Sequence, residues 1–477
     1  MKAPVLRSLL IGGKWRRAAT CMPVDNPFTG ELIAQVACAT ERHAMEAVAS
    51  AVVGAGQMRD LSTGTRSAIL HRAAAAVERA SDRFAQKIAI ESGKPVSHAR
   101  REVARAVNTL RLSAEEAVRL TGETVAFDSM PGGEARSGFY FHEPLGVVVA
   151  ITPFNDPLNL ICHKLGPAFA AGNAVVLKPA EQTPLVAVML AKLLLAAGLP
   201  PHALNLLTGY GDQFGAALTG HPDVAMVSFT GGVRAGERIA AAAGARRLAM
   251  ELGANSPVIV AADADIEKAA GACVSGAFSA AGQNCIGVQR IYVHASRYDA
   301  FRDRFVALTK ALRLGDPLCA ETQIGPMIGA AEAQRLDGWL EEAVRTGARV
   351  LAGGKRQGAV FEPAVIENAP GSTKLVCEEA FGPVVSLFRY EELDDAIRQA
   401  NAPDYAIHAA IFTESLRDAL YAAGKLQAAG VMINDSTDYR LDAMPFGGAK
   451  RGNMGREGVK FAIREMSQTK TVCFNAA

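Results

Sequence analysis

The feature that most constrains the fold is a strict alternation of apolar strand-like runs and helical runs from residue 144 to residue 260. The runs "LGVVVAITP", "NAVVLKPA" and "VAMVSFTGG" are short and rich in valine, and helical spacing of apolar residues follows each of them. Parallel strands need such crossover helices, so the pattern predicts a doubly wound parallel sheet. Ligands of such sheets bind beyond the carboxyl ends of the strands.

The flanking segments differ from this pattern. Residues 40–120 carry apolar side chains at helical spacing and predict three helices, "ERHAMEAVASAVVGAG", "RSAILHRAAAAVERASDRFAQKIAIESG" and "EVARAVNTLRLSAEEAVRLTGE". Residues 122–142 are polar and turn-rich, which predicts a β-arm outside the globular body. A second alternating series begins near residue 263 and predicts a second α/β domain, and the tail "QTKTVCFNAA" predicts a strand.

Charge and cysteine usage exclude several classes of protein. The formal net charge is +2 over 477 residues, so nothing indicates a nucleic-acid or anionic-membrane partner. No apolar run reaches the roughly 18 residues of a membrane span. Eight scattered cysteines without a CxxC motif, and scattered histidines, predict reduced thiols and no metal site. The start of the chain lacks the pattern of a signal peptide, so we expect a cytoplasmic protein.

Two strand ends carry residues suited to a nucleotide. The strand "MVSFT" runs into Gly231 and Gly232 and then into a helix, whose free N–H groups favour a phosphate. The alternative is a tight β–α connection without a ligand. Lys178 and Glu181 follow another strand, where they could bind ribose hydroxyls, and the alternative is a solvated charge pair.

Three further residues could carry acyl chemistry. Cys285, in "SAAGQNCIGVQRIYV", is either a buried apolar filler or a nucleophile. Glu251, in "LAMELGANSP", is either an exposed carboxylate at the end of an element or a general base. Asn155, in "AITPFNDP", is either an ordinary turn residue or a donor to an oxyanion.

These motifs follow one another in a specific order. Asn, Lys-Pro, Phe-Thr-Gly, Glu-Leu-Gly, Gly-Gln-x-Cys, Glu-x-Phe-Gly-Pro and Pro-Phe-Gly-Gly appear along the chain. Together they resemble the aldehyde dehydrogenase superfamily, over almost the whole length from residue 26 to residue 458. The segment "INDSTDYRLDAMPFGG" is similar to the lactaldehyde, phosphonoacetaldehyde and non-phosphorylating glyceraldehyde-3-phosphate branch.

The resemblance implies an α/β fold of three parts. A doubly wound, Rossmann-like NAD-binding domain would comprise residues 1–121 and 143–253, and an α/β catalytic domain would comprise residues 254–447. A small β oligomerisation element would comprise residues 122–142 and 448–477. We therefore expect a homodimer or homotetramer.

The resemblance also implies a reaction, the oxidation of an aldehyde to a carboxylic acid. Cys285 would attack the aldehyde to form a thiohemiacetal, and Asn155 with the N–H of Cys285 would hold the oxyanion. After hydride transfer to the nicotinamide, Glu251 would activate the water that hydrolyses the thioester.

The matching cofactor positions are Thr152, Pro153, Phe154, Lys178, Glu181, Phe229, Thr230, Gly231, Gly232, Leu252, Gly253, Glu379 and Phe381. Glu181 would repel a 2′-phosphate, so we expect NAD, with NADP possible. The sequence departs from the family at Gly232, where serine is common, at Ala254, where glycine is common, and at residues 452–453, where Gly-Asn replaces Ser-Gly. Loss of the serine could remove one hydrogen bond to the pyrophosphate.

The substrate is predicted from arginines. Arg440 is expected to face the aldehyde pocket and to meet an anionic or hydroxylated tail, with Arg105 and Arg111 as further candidates. The alternative for Arg440 is a structural ion pair with Asp438 or Asp442. Asn284 precedes the cysteine where phosphonate-binding relatives carry arginine, so their recognition of phosphonate does not transfer directly.

Two competing functions remain open from the sequence. In CoA-acylating aldehyde dehydrogenases CoA rather than water releases the acyl group, and the general-base glutamate is often absent. The presence of Glu251 favours hydrolysis. The other alternative is a non-catalytic relative with a structural or binding role, which the intact Cys285, Glu251 and Asn155 disfavour.

Overall fold

The computed structural model describes residues 5–6, 8–451 and 454–476, so the Gly-Asn departure at 452–453 lies outside the described residues. Its helices are α1 Glu41–Asp60, α2 Thr63–Arg79, α3 Ser81–Ser92, α4 Val96–Ala117, α5 Asn159–Ala171, α6 Pro184–Ala196, α7 Gly211–Thr219, α8 Val233–Ala243, α9 Ile266–Phe278, α10 Tyr298–Lys310, α11 Ala330–Arg345, α12 Lys374–Cys377, α13 Leu393–Ala400, α14 Leu416–Lys425 and α15 Val459–Glu465.

The strands are β1 Val5–Leu6, β2 Leu9–Ile11, β3 Lys14–Arg16, β4 Cys21–Asp25, β5 Leu32–Ala37, β6 Glu123–Thr124, β7 Arg136–Pro144, β8 Val147–Ile151, β9 Ala174–Lys178, β10 Leu204–Leu206, β11 Val224–Thr230, β12 Arg247–Glu251, β13 Ser256–Val260, β14 Val288–His294, β15 Arg349–Ala352, β16 Arg356–Gln357, β17 Val360–Phe361, β18 Ala364–Glu367, β19 Val384–Tyr390, β20 Tyr405–Ala406, β21 His408–Phe412, β22 Gly430–Ile433, β23 Ala449–Lys450 and β24 Ser467–Asn475.

The first large sheet has the strand order β12-β11-β8-β9-β10-β2-β3. The five strands from β12 to β10 are parallel, and the β2–β3 hairpin joins them antiparallel at one edge. Strands β8 and β9 are buried along their whole length, which explains why their sequences are continuous apolar runs. The doubly wound α/β fold predicted from the alternation is confirmed.

The second large sheet has the order β15-β18-β19-β14-β13-β21-β22 and is parallel except for β15. It has a separate apolar core, in which Phe301, Phe305 and Phe361 are fully buried. The predicted domain boundary at residues 253 and 254 lies between β12 and β13, which belong to different sheets.

The β-arm and the chain's last strand form a third sheet, of order β24-β7-β6. Strands β24 and β7 are antiparallel over nine residues each, from the pair Ser467 and Pro144 to the pair Asn475 and Arg136. Helix α15, which was predicted to belong to this element, instead packs against α4 and α5. The reason is apolar burial, because Val459 and Ile463 join the core of the first domain. A role in oligomerisation remains a prediction.

The second predicted helix is two helices, α2 and α3, which meet at Ala80. Ala80 is also the N-cap of α3, which no side chain caps, and Asp82 in the first turn favours the start of the new helix through the helix dipole. The third predicted helix begins earlier than expected, directly after Pro95, as α4. Within the described part of the chain, no helix has the length and apolarity that a membrane crossing requires.

Candidate active site

A cleft of ≈ 1160 Å³ opens where the carboxyl ends of β8, β9, β11 and β12 face the second domain. Its walls include every residue predicted for catalysis and for cofactor binding, together with Arg440. The strand ends come together because these four strands are neighbours in one parallel sheet, so the loops that follow them leave from the same edge. Residues that are more than 100 positions apart in the sequence thereby share one site.

The turn after β11 is suited to a phosphate. Gly232 is the N-cap of α8, and no side chain caps the helix, which leaves its first N–H groups free. A Cβ atom at Gly232 would meet nothing within 4 Å, so the missing serine leaves open space at this turn. The absence of a side chain at Gly236 allows α8 to pack closely against Leu252, which follows β12. A Cβ atom at Gly236 would lie 2.6 Å from the side chain of Leu252.

A second polar contact lies where the end of β9 meets the start of α7. The Nζ of Lys178 donates to the Oε1 of Glu181 over 2.7 Å, and the N–H of Gly211 donates to the same oxygen over 3.1 Å. Burial acts to raise the pKa of Glu181, but Lys178 and backbone donors outweigh it and hold the pKa below its usual value. Glu181 is therefore an anion at neutral pH.

The opposite end of the cleft is narrow. Glu379 accepts from the N–H of Ala254 over 3.0 Å, and a Cβ atom at Gly253 would lie 2.2 Å from its Oε2. Burial raises the pKa of Glu379 to about 7. The rings of Phe154 and Phe381 meet edge to face with centroids 5.6 Å apart. Glu379 lies so close to Gly253 that a side chain at that position would not fit. Together with the phosphate turn and the Lys178–Glu181 pair, this part of the cleft is suited to an elongated dinucleotide.

Cys285 lies between α9 and β14, after a short 3₁₀ turn, Ser279–Gly282. Ala280 and Ala281 in this turn have φ values of 52° and 54°, which cost energy for any residue with a Cβ atom. Such strain persists only where the surrounding structure holds the backbone in place. Here the strained turn comes directly before the segment that carries the candidate nucleophile. Burial raises the pKa of the Cys285 thiol to about 12, although the nearby Arg440 opposes this rise.

Glu251, the last residue of β12, is buried, and its Oε2 has no hydrogen-bond partner among the described residues. Burial and the neighbouring carboxylate of Glu457 raise its pKa well above the usual value. Glu457 is an anion, because Lys164 donates to its Oε1 over 3.0 Å and Arg440 donates to its Oε2 over 2.9 Å. A raised carboxyl pKa next to a fixed charge suits a general base.

The sequence analysis did not identify Lys164 or Glu457. Lys164 could have been flagged as a lysine inside α5, a helix that is buried on every side. A fully buried lysine almost always has a charged partner. No local signal marks Glu457, which lies in a loop 293 residues from Lys164.

Asn155 follows β8, lines the cleft and is half-buried. Its side-chain amide makes no hydrogen bond within the described part of the chain, so both N–H donors are free to serve a group bound in the cleft. An unpaired amide in the same cleft as a candidate nucleophile is suited to stabilising an oxyanion.

Arg440 does line the cleft, but the predicted alternative partners were wrong. It pairs with Glu457 rather than with Asp438 or Asp442, and its guanidinium lies 3.6 Å from the ring centroid of Phe446. Asp442 is already engaged by other residues, among them Arg105. The Nε of Arg440 is buried and has no partner among the described residues.

The other two arginines do not line this cleft. Arg105 donates to Asp442 over 2.8 Å and makes a longer contact of 3.5 Å with Asp156. Arg111 pairs with Glu78 on the protein surface, because it projects from a different side of α4. The structure therefore does not bring Arg111 to the candidate site.

The motifs and their geometry agree with a comparison against known families. The model of the family described as "Aldehyde dehydrogenase family" matches residues 15–472. The chain belongs to the aldehyde dehydrogenase family. The family predicted from the motif order is thus confirmed, and the protein is an NAD(P)-dependent aldehyde oxidoreductase.

Relatives within the aldehyde dehydrogenase family act on small polar aldehydes according to their names. The chain is 52% identical to aspartate-semialdehyde dehydrogenase 1 of Pseudomonas canavaninivorans, covering 95% of this chain and 96% of that one. It is 44% identical to 3-sulfolactaldehyde dehydrogenase of Priestia aryabhattai, over 98% of both chains. The solved structure of glyceraldehyde-3-phosphate dehydrogenase GapN from Methanocaldococcus jannaschii, complexed with NADP, is 39% identical with a TM-score of 0.92, over 95% of this chain and 99% of that one.

Within the described residues, no group of three or more histidine, cysteine, aspartate or glutamate side chains is placed to hold a metal ion. The reactive side chains that line the cleft include a thiol, buried carboxylates, an amide and a guanidinium.

Proposed function

We propose that this aldehyde dehydrogenase oxidises a small anionic aldehyde, with Cys285 as nucleophile, Glu251 as general base and Asn155 as oxyanion donor. One observation carries the proposal: these three residues share a single cleft with Arg440 and with the predicted cofactor positions. Each residue alone has an ordinary structural explanation. They converge from two strand ends and from the segment before β14, and this is the arrangement that acyl chemistry requires.

The reaction begins at the sulfur. The thiolate of Cys285 attacks the aldehyde carbon, and the oxyanion that forms accepts hydrogen bonds from the Asn155 amide and the N–H of Cys285. NAD(P), held by the predicted cofactor positions, would supply the hydride acceptor, and loss of the hydride from the thiohemiacetal carbon leaves a thioester on the sulfur of Cys285. Glu251 then removes a proton from water as the water attacks the thioester, and the acid leaves as the thiolate returns.

The charges around the cleft favour these reaction steps. Glu251 resists ionisation because it is buried beside Glu457, so its carboxylate is a stronger base than one exposed to solvent. Arg440 acts in the opposite direction on Cys285 and favours its thiolate. One guanidinium therefore affects both the nucleophile and the base, and it lines the cleft into which an anionic substrate tail would extend.

We propose that NAD is preferred and NADP accepted less well. Glu181 is held as an anion by Lys178, and its charge would oppose a 2′-phosphate. The solved structure of the relative GapN contains NADP, which favours NADP rather than NAD for this chain. Titration of the intrinsic fluorescence with NADH and with NADPH distinguishes the two, since a tighter NADPH complex contradicts the role of Glu181.

The test is NADH formation at 340 nm with an aldehyde panel of aspartate semialdehyde, succinate semialdehyde, lactaldehyde and propanal. Cys285→Ala is expected to abolish activity. Cys319→Ala, an exposed cysteine outside the cleft, serves as the matched control and is expected to retain activity. Activity that survives in Cys285→Ala refutes the role of the thiol. Activity that requires added CoA favours the acylating alternative over hydrolysis by Glu251.

We further propose a cytoplasmic homodimer or homotetramer in which the sheet β24-β7-β6 carries subunit contacts. Phe139 and Phe474 on this sheet are exposed with ring centroids 6.4 Å apart, which favours burial against a partner. All eight cysteines are unpaired, as expected for a reducing compartment. Light scattering of the wild type and of Phe474→Asp tests the assembly, and a wild-type monomer contradicts it.

A further inference from the structure

Cys285 and Ile286 are the two central residues of a turn that spans residues 284–287. The N–H of Gly287 donates to the carbonyl oxygen of Asn284 over 3.0 Å and closes the turn. The N–H of Ile286 donates to the Oδ1 of Asn284 over 3.2 Å. The N–H of Cys285 takes no part in these bonds and has no acceptor among the described residues, so it is free to donate to an oxyanion.

A single hydroxyl group holds this turn from outside. The Oγ1 of Thr437 donates to the carbonyl oxygen of Ile286 over 2.7 Å, and both residues are buried. Within the described part of the chain, no other donor reaches that oxygen. The carbonyl belongs to the same peptide unit as the N–H of Gly287, which closes the turn, so Thr437 holds the other side of this unit.

Thr437 is itself held in place by two elements of the second domain. Its carbonyl oxygen accepts a hydrogen bond from the Nδ1 of His408, the first residue of β21, over 2.8 Å. A carbonyl oxygen can only accept, so Nδ1 carries the proton of this buried ring. The preceding residue, Ser436, packs against α9 at Gly276, where a Cβ atom would lie 2.0 Å from the serine Oγ. The hydroxyl of Thr437 therefore acts from a rigid support.

We propose that Thr437 is a positioning residue, which holds the turn so that the N–H of Cys285 faces the oxyanion formed on the sulfur of the same residue. This inference rests on the proposed function and adds a residue to its oxyanion site. Thr437 does not line the cleft, so it acts on the reaction only through the turn. Without the hydroxyl, the buried carbonyl of Ile286 lacks a donor, and its peptide unit gains by rotating towards another one.

The test replaces Thr437 with valine, which has nearly the same shape but no hydroxyl. Thr437→Val is expected to lower kcat about ten- to a hundredfold on succinate semialdehyde and on propanal alike, because every aldehyde forms the oxyanion. The affinity for NADH, measured by fluorescence titration, is expected to remain unchanged, because the cofactor positions are untouched.

Thr309→Val is the matched control. The buried hydroxyl of Thr309 donates to the carbonyl oxygen of Phe305 over 2.8 Å within α10, away from the cleft. This variant is expected to keep the kcat of the wild type. An unchanged kcat in Thr437→Val as well overturns the inference, because both hydroxyls then contribute only to stability.

A second readout separates the N–H of Cys285 from its sulfur. Iodoacetamide alkylates the sulfur by displacing iodide, and no oxyanion forms in that step. The rate of alkylation, followed by mass spectrometry of the peptide that contains Cys285, is therefore expected to be the same in the wild type and in Thr437→Val. A fall in this rate that matches the fall in kcat overturns the inference, because it indicates that the sulfur has moved.

The pair Thr437→Ser and Thr437→Ala repeats the test if the valine variant does not fold. Both changes remove the same methyl group, and the two variants differ only in the hydroxyl. Thr437→Ser is expected to keep a kcat close to that of the wild type, whereas Thr437→Ala is expected to lose as much as Thr437→Val. Equal kcat values for the pair overturn the inference. Activity that survives in Cys285→Ala refutes the proposed function instead.

Discussion

Replacing Arg440 with methionine tests whether this guanidinium recognises the substrate or only stabilises the site. Methionine retains an apolar side chain of similar length above Phe446, where the guanidinium lies 3.6 Å from the ring centroid. The change removes the positive charge and the hydrogen bond to Glu457. Glu457 keeps its bond of 3.0 Å from Lys164, so its charge stays paired.

The structure separates three effects of the Arg440→Met change. A hydrogen bond to a charged group contributes about 1.5–3 kcal/mol, so loss of the substrate contact lowers kcat/KM on anionic aldehydes about 10- to 150-fold. Breaking a buried ion pair typically costs about 3–5 kcal/mol of folding free energy, and we expect less because Lys164 remains. The pKa values of Cys285 and Glu251 rise, because Arg440 lowers both.

The assay must distinguish substrate recognition from the shared change in pKa. The ratio of kcat/KM for succinate semialdehyde to that for propanal is measured at each pH, because the shifts of Cys285 and Glu251 affect both substrates and cancel. We expect this ratio to fall at every pH in Arg440→Met, and thermal unfolding reports the stability separately. An unchanged ratio with equal losses on both aldehydes refutes the assignment of Arg440 to the substrate.

Three further predictions follow from the same geometry. Wild-type activity should rise with pH on its acid limb as Glu251 ionises at its raised pKa, and Glu251→Gln should remove this limb and lower turnover about a hundredfold or more, measured as a pH–rate profile. Gly253→Ala should weaken NADH binding about tenfold in a fluorescence titration, because its Cβ atom would lie 2.2 Å from the Oε2 of Glu379 and displace it. Burial acts to raise the pKa of Asp442, but the hydrogen bond with His163 and the charge of Arg105 outweigh it and hold the pKa well below its usual range. Its contribution to stability is therefore present above the unfolded pKa of about 3.9 and is lost as pH falls, so Asp442→Asn should lower Tm at pH 7 and reduce the fall in Tm on acidification.

The fold was predictable because its information is local. Strands β8 and β9 are continuous apolar runs bounded by turn residues, and a pattern of that kind specifies a buried parallel strand without any knowledge of its partners. The break between α2 and α3 was missed because apolar spacing continues across Ala80. No side chain caps α3, so only the acidic Asp82 in its first turn marks the break, and that effect of about 0.3–1 kcal/mol is smaller than the signal of the periodicity.

The candidate site was predictable only in part, and the difference lies in how each residue is positioned. Cys285, Glu251 and Asn155 each lie in a local motif, so the motif order was sufficient to name them as candidates, and all three line the same cleft. Ion-pair partners have no such signal, because they are chosen by tertiary packing.

The ion pair of Arg440 shows why such partners cannot be predicted from the sequence. Two aspartates lie within two residues of it in the sequence, yet its partner is Glu457, 17 residues away. Glu457 is buried and needs two cations, Lys164 and Arg440, to remain ionised, whereas Asp442 already has Arg105 and His163. The pairing is thus decided by which buried charge lacks compensation, a property of the whole cluster.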